Sequence, residues 1–221
     1  MKVVVIGDLH GEFERLNVFI DQEHPDIILQ CGDNAYYWKD DKENIGAIKP
    51  QNTKIYLIPG NHENWDIIEE KIGRYGKEPI EIEHNIFMCP IGSTLEINGR
   101  VILFVGGADS IDKQYRIWKR NWWEQELLKY EDFKYIENNV KKVDIVISHT
   151  CPEYFEMNRF SMTDRLRDPS RQILNFVYEL YQPKLWYFGH WHMYKYGRYY
   201  DTDWVGLNMI DEGNWYRYLI I

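Results

Sequence analysis

Five times along this chain a short apolar run stops at a small group of Gly, Asp, Asn and His, and no other feature restricts the fold as much. The runs Lys2 to Ile6, Asp26 to Gln30, Lys54 to Ile58, Val143 to Ile147 and Lys184 to Phe188 are each followed by such a group. The groups are Asp8-Leu9-His10-Gly11, Gly32-Asp33-Asn34, Gly60-Asn61-His62-Glu63, Ser148-His149 and Gly189-His190-Trp191-His192. Runs of this length, rich in Val, Ile and Leu, read as buried strands. Helical spacing follows two of them, with Phe13, Leu16, Phe19 and Ile20 on one face and Trp65, Ile68 and Ile72 on another. Strands alternating with helices mean an α/β fold, in which ligands bind beyond the carboxyl ends of the strands.

The rest of the chain is less regular. Asn34 to Pro50 has no sustained period and reads as a loop. Ile80 to Ile82, Ile86 to Met88, Leu95 to Ile97 and Val101 to Val105 are short strands at the edge of a second sheet, with Asn98-Gly99 as a hairpin turn. Gly106 to Asn121 is Gly-rich and then charged. The spacing predicts one long amphipathic helix from Trp122 to Val140, with Trp123, Leu127, Leu128, Tyr135 and Ile136 inward. A polar loop with Arg159, Arg165, Arg167 and Arg171 precedes a helix through Ile173 to Leu180, which Pro183 ends. The tail from Tyr194 reads as antiparallel strands, with turns at Tyr196-Gly197 and at Asp211 to Gly213. No repeat or linker divides the chain, so residues 1–221 are expected to form a single domain.

Composition narrows the function classes. No apolar run approaches the roughly 20 residues that span a bilayer, and the amino terminus enters a strand at once, so a soluble, cytoplasmic protein is expected. The three cysteines are scattered and lie at or beside apolar runs, as buried thiols do; Cys31 and Cys151 adjoin the polar groups, but neither forms the pair that a soft-metal site needs. A net charge of −9 argues against loose binding to a phosphate backbone, which depends on Lys and Arg. It leaves open a local site whose cations reverse the potential.

The polar groups supply Asp8, His10, Asp33, Asn61, His62, His149, His190 and His192, and so five of the seven histidines. His24 and His84 are left for exposed loops. Taken singly each signal is weak, since Asp-x-His-Gly is as readily a turn and a lone His after a strand is more often a hydrogen-bonded loop residue. His190 and His192 are better, because side chains two apart on an extended chain share a face. Together they describe a site for two divalent cations: imidazole with carboxylate suits Zn, Fe, Mn or Ni. Two such ions need a shared carboxylate, for which Asp33 is the candidate and Asp8 the rival.

In order, Asp-x-His, Gly-Asp, Gly-Asn-His-Glu, His and Gly-His-x-His resemble the calcineurin-like metallophosphoesterase superfamily, from Met1 to about His192. The resemblance implies a four-layer α/β/β/α sandwich of two mixed sheets. It implies one ion held by Asp8, His10, Asp33 and His192, and another held by Asp33, Asn61, His149 and His190. The cofactor expectation is two divalent ions, manganese first, with Fe, Zn, Ni or Mg as alternatives. His62 is then no ligand but lies near the scissile phosphate. The expected reaction is hydrolysis of a phosphate ester, a diester before a monoester, by a metal-bridging hydroxide with His62 as general acid; Asn61, His62 and Arg116 would bind the phosphoryl group. Gly32-Asp33 is followed by Asn34-Ala35-Tyr36-Tyr37-Trp38 instead of the Asp-Arg-Gly of the serine/threonine protein phosphatases, which argues against phosphoproteins. The segment Gly106 to Asp112 with Arg116 and Trp122-Trp123 looks like that of small bacterial and phage members. Tyr36, Tyr37 or Trp38 could stack on a nucleobase, so nucleotide or nucleic-acid substrates, and hence a nuclease, form the alternative; neither a membrane nor an obligate protein partner is indicated. Because every ligand position and His62 are filled, an enzyme is favoured over a non-catalytic scaffold of the same fold.

Overall fold

The computed structural model describes residues 1–35, 48–157 and 168–221. Tyr36, Tyr37, Trp38, Arg159, Arg165, Arg167 and most of the loop expected from Asn34 to Pro50 lie outside the described residues. In chain order the strands are β1 (Val3–Ile6), β2 (Ile27–Gln30), β3 (Lys54–Leu57), β4 (Ile80–Glu83), β5 (Ile86–Met88), β6 (Thr94–Ile97), β7 (Arg100–Val105), β8 (Ile145–Ser148), β9 (Leu185–Phe188), β10 (Lys195–Tyr199), β11 (Thr202–Gly206) and β12 (Tyr216–Leu219). The helices are α1 (Phe13–Glu23), α2 (Trp65–Ile72), α3 (Tyr130–Asn139) and α4 (Pro169–Tyr181). The strands form two mixed sheets, ordered β12-β1-β2-β3-β5-β4 and β10-β11-β9-β8-β7-β6.

Alternation along the strands builds the expected sandwich. Val3 and Val5 join Leu29, Tyr56, Phe104, Ile147 and Tyr187 in a core lined by both sheets. Their neighbours Val4, Ile6, Ile28 and Leu57, with Leu103, Val146, Trp186 and Phe188, turn the other way, into the cluster that includes the helices. In it Phe13, Leu16 and Ile20 of α1, Trp65 and Ile68 of α2, Phe133 and Ile136 of α3, and Leu174 and Val177 of α4 bury their apolar faces. Crossovers place α1 and α2, which link strands of the first sheet, on that sheet, and α3 and α4 on the second. Each central strand is therefore buried on both faces.

The parallel pairs β1–β2, β2–β3 and β8–β9 carry the polar groups to one end of the molecule. Backbone bonds stitch that end: Leu9 N and His10 N donate to Asp33 O at 3.0 and 2.7 Å, Gly189 N donates to His149 O at 3.0 Å, and Gly107 N donates to Pro59 O at 2.8 Å across the two sheets.

Four expectations need correction. β4 and β5 complete the first sheet, and only the β6–β7 hairpin, turned by Asn98 and Gly99 with φ of 48° and 73°, is the edge of the second. The long helix is confined to Tyr130–Asn139, preceded by a 3₁₀ turn at Glu124–Glu126. Tertiary bonds compete for its amino-terminal half: Arg74 donates to the carbonyls of Gln125 and Leu127 at 2.9 and 3.0 Å, and Leu128 N donates to Ser170 Oγ at 3.0 Å. Arg171 lies inside α4, buried, and donates to the carbonyls of Cys151, Pro152 and Phe155. Tyr196 and Gly197 are within β10, and the turn falls at Tyr200-Asp201, where Tyr199 pairs Thr202. Asp211 to Gly213 does form a turn.

Candidate metal centre

Asp8, leaving β1, is buried and receives the backbone N–H of His190 on both carboxylate oxygens, at 3.0 and 2.9 Å. Asp33, leaving β2, is 2% exposed and receives His62 N on Oδ1 at 2.8 Å. These bonds aim the carboxylates before any ligand arrives. His10, Asp33, His190 and His192 all have positive φ, between 44° and 67°, a conformation uncommon for residues with a Cβ and concentrated at sites where the fold over-determines it.

The polar groups converge on two donor sets. Asp8, His10, Asp33 and His192 offer atoms within 4.8 Å of one another, and so do Asp33, His149 and His190. Asp33 is common to both: Oδ2 lies 3.8 Å from His10 Nε2, and Oδ1 lies 3.3 Å from His149 Nε2. Asp8 belongs to one set alone, which separates it from its rival as the shared carboxylate. Asn61 joins the second set, its Oδ1 2.8 Å from His149 Nε2 and 2.9 Å from His190 Nδ1. Cys31 and Cys151 are buried free thiols outside both sets.

The arrangement fits cations. His149 Nδ1–H donates to Cys31 O at 2.8 Å, the kind of partner that fixes the tautomer of a metal-ligating imidazole. Its Nε2 therefore faces two oxygen acceptors with a lone pair of its own. Burial opposes a charge on His149, but Asp33 and then Asp8 outweigh it and push the imidazole up to about 10. A proton there does what a metal ion would do. On the other side His10 Nε2 and His192 Nε2 face each other at 2.9 Å, with His192 Nε2 also 3.1 Å from Asp8 Oδ2. Burial resists ionisation of Asp33 too, and His149, His62 and His10 together hold it well below the usual carboxylate range. Burial and the neighbouring His149 hold His190 well below an ordinary imidazole, hence neutral, as a ligand must be.

His62 stands beside both sets without belonging to either. Its Nε2 is 4.0 Å from Asp33 Oδ2, and Arg116 Nη2–H donates to the same nitrogen at 2.8 Å. Burial lowers its pKa, Asp33 opposing and Arg116 assisting. Arg116 also donates to Asn61 O at 3.2 Å and is anchored by Asp112, 2.7 Å from Nε. The guanidinium thus sits over the strand-end loop that carries Asn61 and His62. With the acids deep and His10, His62 and His192 partly exposed, the site opens on its histidine side.

Three buried groups here carried no role in the sequence. Glu63 accepts from Ala35 N at 2.8 Å and from Gly60 N, holding the two loops together; burial and then Asp33 push its carboxyl up to about 8. Ser110 Oγ accepts from Asn61 Nδ2 at 3.1 Å, and Glu126 accepts from Ser110 N at 3.0 Å. A Glu closing Gly-Asn-His-Glu at a strand end was a signal for the first; nothing local marks the other two.

Comparison with known proteins agrees with this geometry. Among solved structures the chain is similar to the phosphopantetheinyl hydrolase of Mycobacterium tuberculosis, with 14% identity and a TM-score of 0.51 over 99% of this chain and 95% of that one. It is also similar to GAP50, the anchor in the inner membrane complex of Plasmodium, with 14% identity and a TM-score of 0.50 over 93% of this chain and 70% of that one. At such identity the likeness is one of fold. No curated protein matches the sequence. Residues 1–194 match the family model of calcineurin-like phosphoesterases. That match spans nearly the whole chain and both donor sets, and the chain belongs to this family of metal-dependent phosphoesterases.

Proposed function

We propose that the protein hydrolyses phosphate esters, diesters in preference to monoesters, at a centre of two divalent ions with manganese as the native metal. The observation that carries this reading is the convergence of two donor sets on one shared carboxylate, Asp33. Asp8, His10, Asp33 and His192 would hold one ion, and Asp33, Asn61, His149 and His190 the other. When bound, such ions supply a water acidified toward neutral pH and positive charge for the phosphoryl oxygens.

The chain's own groups do the rest. Arg116 is positioned to bind a non-bridging phosphoryl oxygen through Nη2, the donor that it now gives to His62. That exchange frees His62 Nε2, and the anion beside it favours the imidazolium. From Nε2 the proton passes to the leaving oxygen. Among the described residues Arg116 is the one Lys or Arg hydrogen-bonded to His62 and Asn61, and a single guanidinium matches the single charge of a diester better than a dianion. We read residues 1–221 as one catalytic unit. Among the described residues no helix is long and apolar enough to cross a membrane, and the three free, buried thiols support residence in the reducing cytoplasm.

Turnover of bis-p-nitrophenyl phosphate against p-nitrophenyl phosphate, by metal-free protein given Mn, Ni, Mg or Zn, tests the proposal. Metal-dependent diester cleavage at the higher kcat/KM is expected. No metal-dependent turnover of either ester would leave a scaffold of this fold, and a nuclease would show itself by cleaving single-stranded oligonucleotides faster than either.

A further inference from the structure

We propose that the open side of the sandwich next to the metal centre, where β10 and β12 end the two sheets, binds single-stranded nucleic acid through Tyr194, Tyr196, Arg198 and Arg217. The inference deepens the diester reading, on which it rests: the ester cleaved is one link of such a strand.

The face begins at the centre itself. β9 leads to His190 and His192, and Tyr194 is two residues beyond the second of these. β10 then runs back down the sheet: Lys195 pairs Gly206, which is level with Phe188, and Tyr199 pairs Thr202 at the far end. Alternate residues of a strand share a face. Tyr196 pairs Val205, which pairs Tyr187, and both of these pack into the core between the sheets, so Tyr196 and Arg198 turn toward the first sheet. There β12 offers Arg217, opposite Val5 of the same core. Arg217 spans the two sheets: its guanidinium lies over the Tyr194 ring, 4.7 Å from the centroid, and Nη2–H donates to the Tyr194 hydroxyl. The Tyr196 ring is next along, 5.8 Å from that of Tyr194 and tilted by 44°. From Tyr194 to Arg198 the row is about 13 Å long, at a rise of about 3.3 Å per residue.

Packing does not account for this row. Tyr196 is 70% exposed, and the Arg198 side chain 68%. Its charge also departs from that of the chain: Asp203 is the one acid in β9–β12, against Lys195, Arg198 and Arg217, in a protein of net charge −9. Arg198 holds Asp203 through Nε and Nη2, at 2.5 and 2.8 Å, which engages two of its five N–H donors. Two guanidiniums set along two phenol rings match a polyanion whose units each carry a flat ring. Its phosphates go to the arginines and its bases to the rings. A second copy of the chain fits worse, because pairing β10 with itself would add an edge that Lys195 and Arg198 already guard with like charge. An uncharged apolar partner would bury Arg217 without an anion.

Two measurements test this: anisotropy of a fluorescein-labelled oligothymidylate on the metal-free full chain, and kcat/KM for the same strand and for bis-p-nitrophenyl phosphate on the Mn²⁺-loaded chain. Tyr196→Ala should weaken binding and cleavage of the strand about tenfold, and Tyr196→Phe less than about twofold, because the ring remains. Arg217→Ala should weaken both about tenfold and reduce the slope of log Kd against log salt by about 0.7, the share of one phosphate. Turnover of the small ester should stay within about twofold of wild type in all three variants, which separates the face from the centre. Wild type that binds the strand no tighter than an abasic oligomer of the same length overturns the inference, as do Tyr196→Ala and Arg217→Ala that bind and cleave it like wild type. Dimers in sedimentation that Arg217→Ala dissolves, with no strand bound, would overturn it in favour of a second copy. Strand binding without metal-dependent turnover of any diester refutes the diesterase reading, and with it the substrate, while the binding face stands.

Discussion

Gly60→Ala places one methyl group where the account allows none. A Cβ at Gly60 would lie 2.2 Å from Asp33 Oδ1, 2.4 Å from Asp33 N and 2.8 Å from His149 Nε2. Non-bonded carbon and oxygen atoms settle at roughly 3.5 Å, so Asp33 must withdraw by about 1 Å. Metal-to-ligand distances tolerate about 0.2 Å. Because Asp33 serves both donor sets, its displacement should empty both sites, whereas Gly189→Ala, whose Cβ would lie 1.9 Å from Asp8 Oδ1, should empty one. Overpacking of this kind costs about 1–3 kcal/mol, or roughly 2–12 °C in Tm for a chain of this size. Elemental analysis after reconstitution with Mn²⁺, diesterase assay and melting of the metal-free protein measure the three effects. We expect fewer than one ion per chain and at least a hundredfold loss of turnover for G60A, and one ion for G189A. G60A that binds two ions as tightly as wild type would refute the claim that Asp33 is shared.

Other predictions concern single side chains. His62→Ala should lower kcat by about a hundredfold or more with two ions still bound, as general-acid loss does; metal loss at unchanged activity per bound ion would contradict it. Arg116→Ala should lower kcat/KM for the diester by about ten- to a hundredfold, chiefly through KM, and Arg116→Lys should restore part of it, because a point charge replaces the fork. Burial pushes Glu126 up to about 7, from an ordinary 4.5. A raised carboxyl pKa means the neutral form is favoured in the fold, so metal-free wild type should lose stability relative to E126Q as pH rises from 4.5 to 7, by at most about 3 kcal/mol, and no further above 7. Urea denaturation at about pH 4.5, 6, 7 and 8 reads that difference, and a constant gap would contradict it.

The strands and the site were legible for the same reason. A strand buried on both faces is a continuous apolar run, and the residues after it are few and chemically distinct, so Asp8, Asp33, Asn61, His149 and His190 stand out before any fold is known. That Asp33 reaches both donor sets could not be read from the sequence: the pairing of β1 with β2 brings His10 to one oxygen, and the packing of the second sheet, through β8, brings His149 to the other. Sheet membership was less legible, since β5 and β6 are both short and the choice between sheets lies in long-range pairing. Trp122 to Leu128 has helical spacing, yet Arg74 and Ser170, far away in sequence, take the bonds that a helix would use. Ser110 and Glu126 were invisible because the bonds from Asn61 to Ser110 and from Ser110 N to Glu126 join segments 49 and 16 residues apart, and a Glu in an apparent helix reads as solvated.

The central claim is that one carboxylate serves two ions. An anomalous-difference map at the Mn absorption edge, from crystals of the Mn²⁺-loaded protein, tests it most directly. The account predicts two peaks about 3.5–4 Å apart, with Asp33 between them, Asp8, His10 and His192 around one, and Asn61, His149 and His190 around the other. A single peak, or two peaks of which Asp33 touches only one, would contradict it.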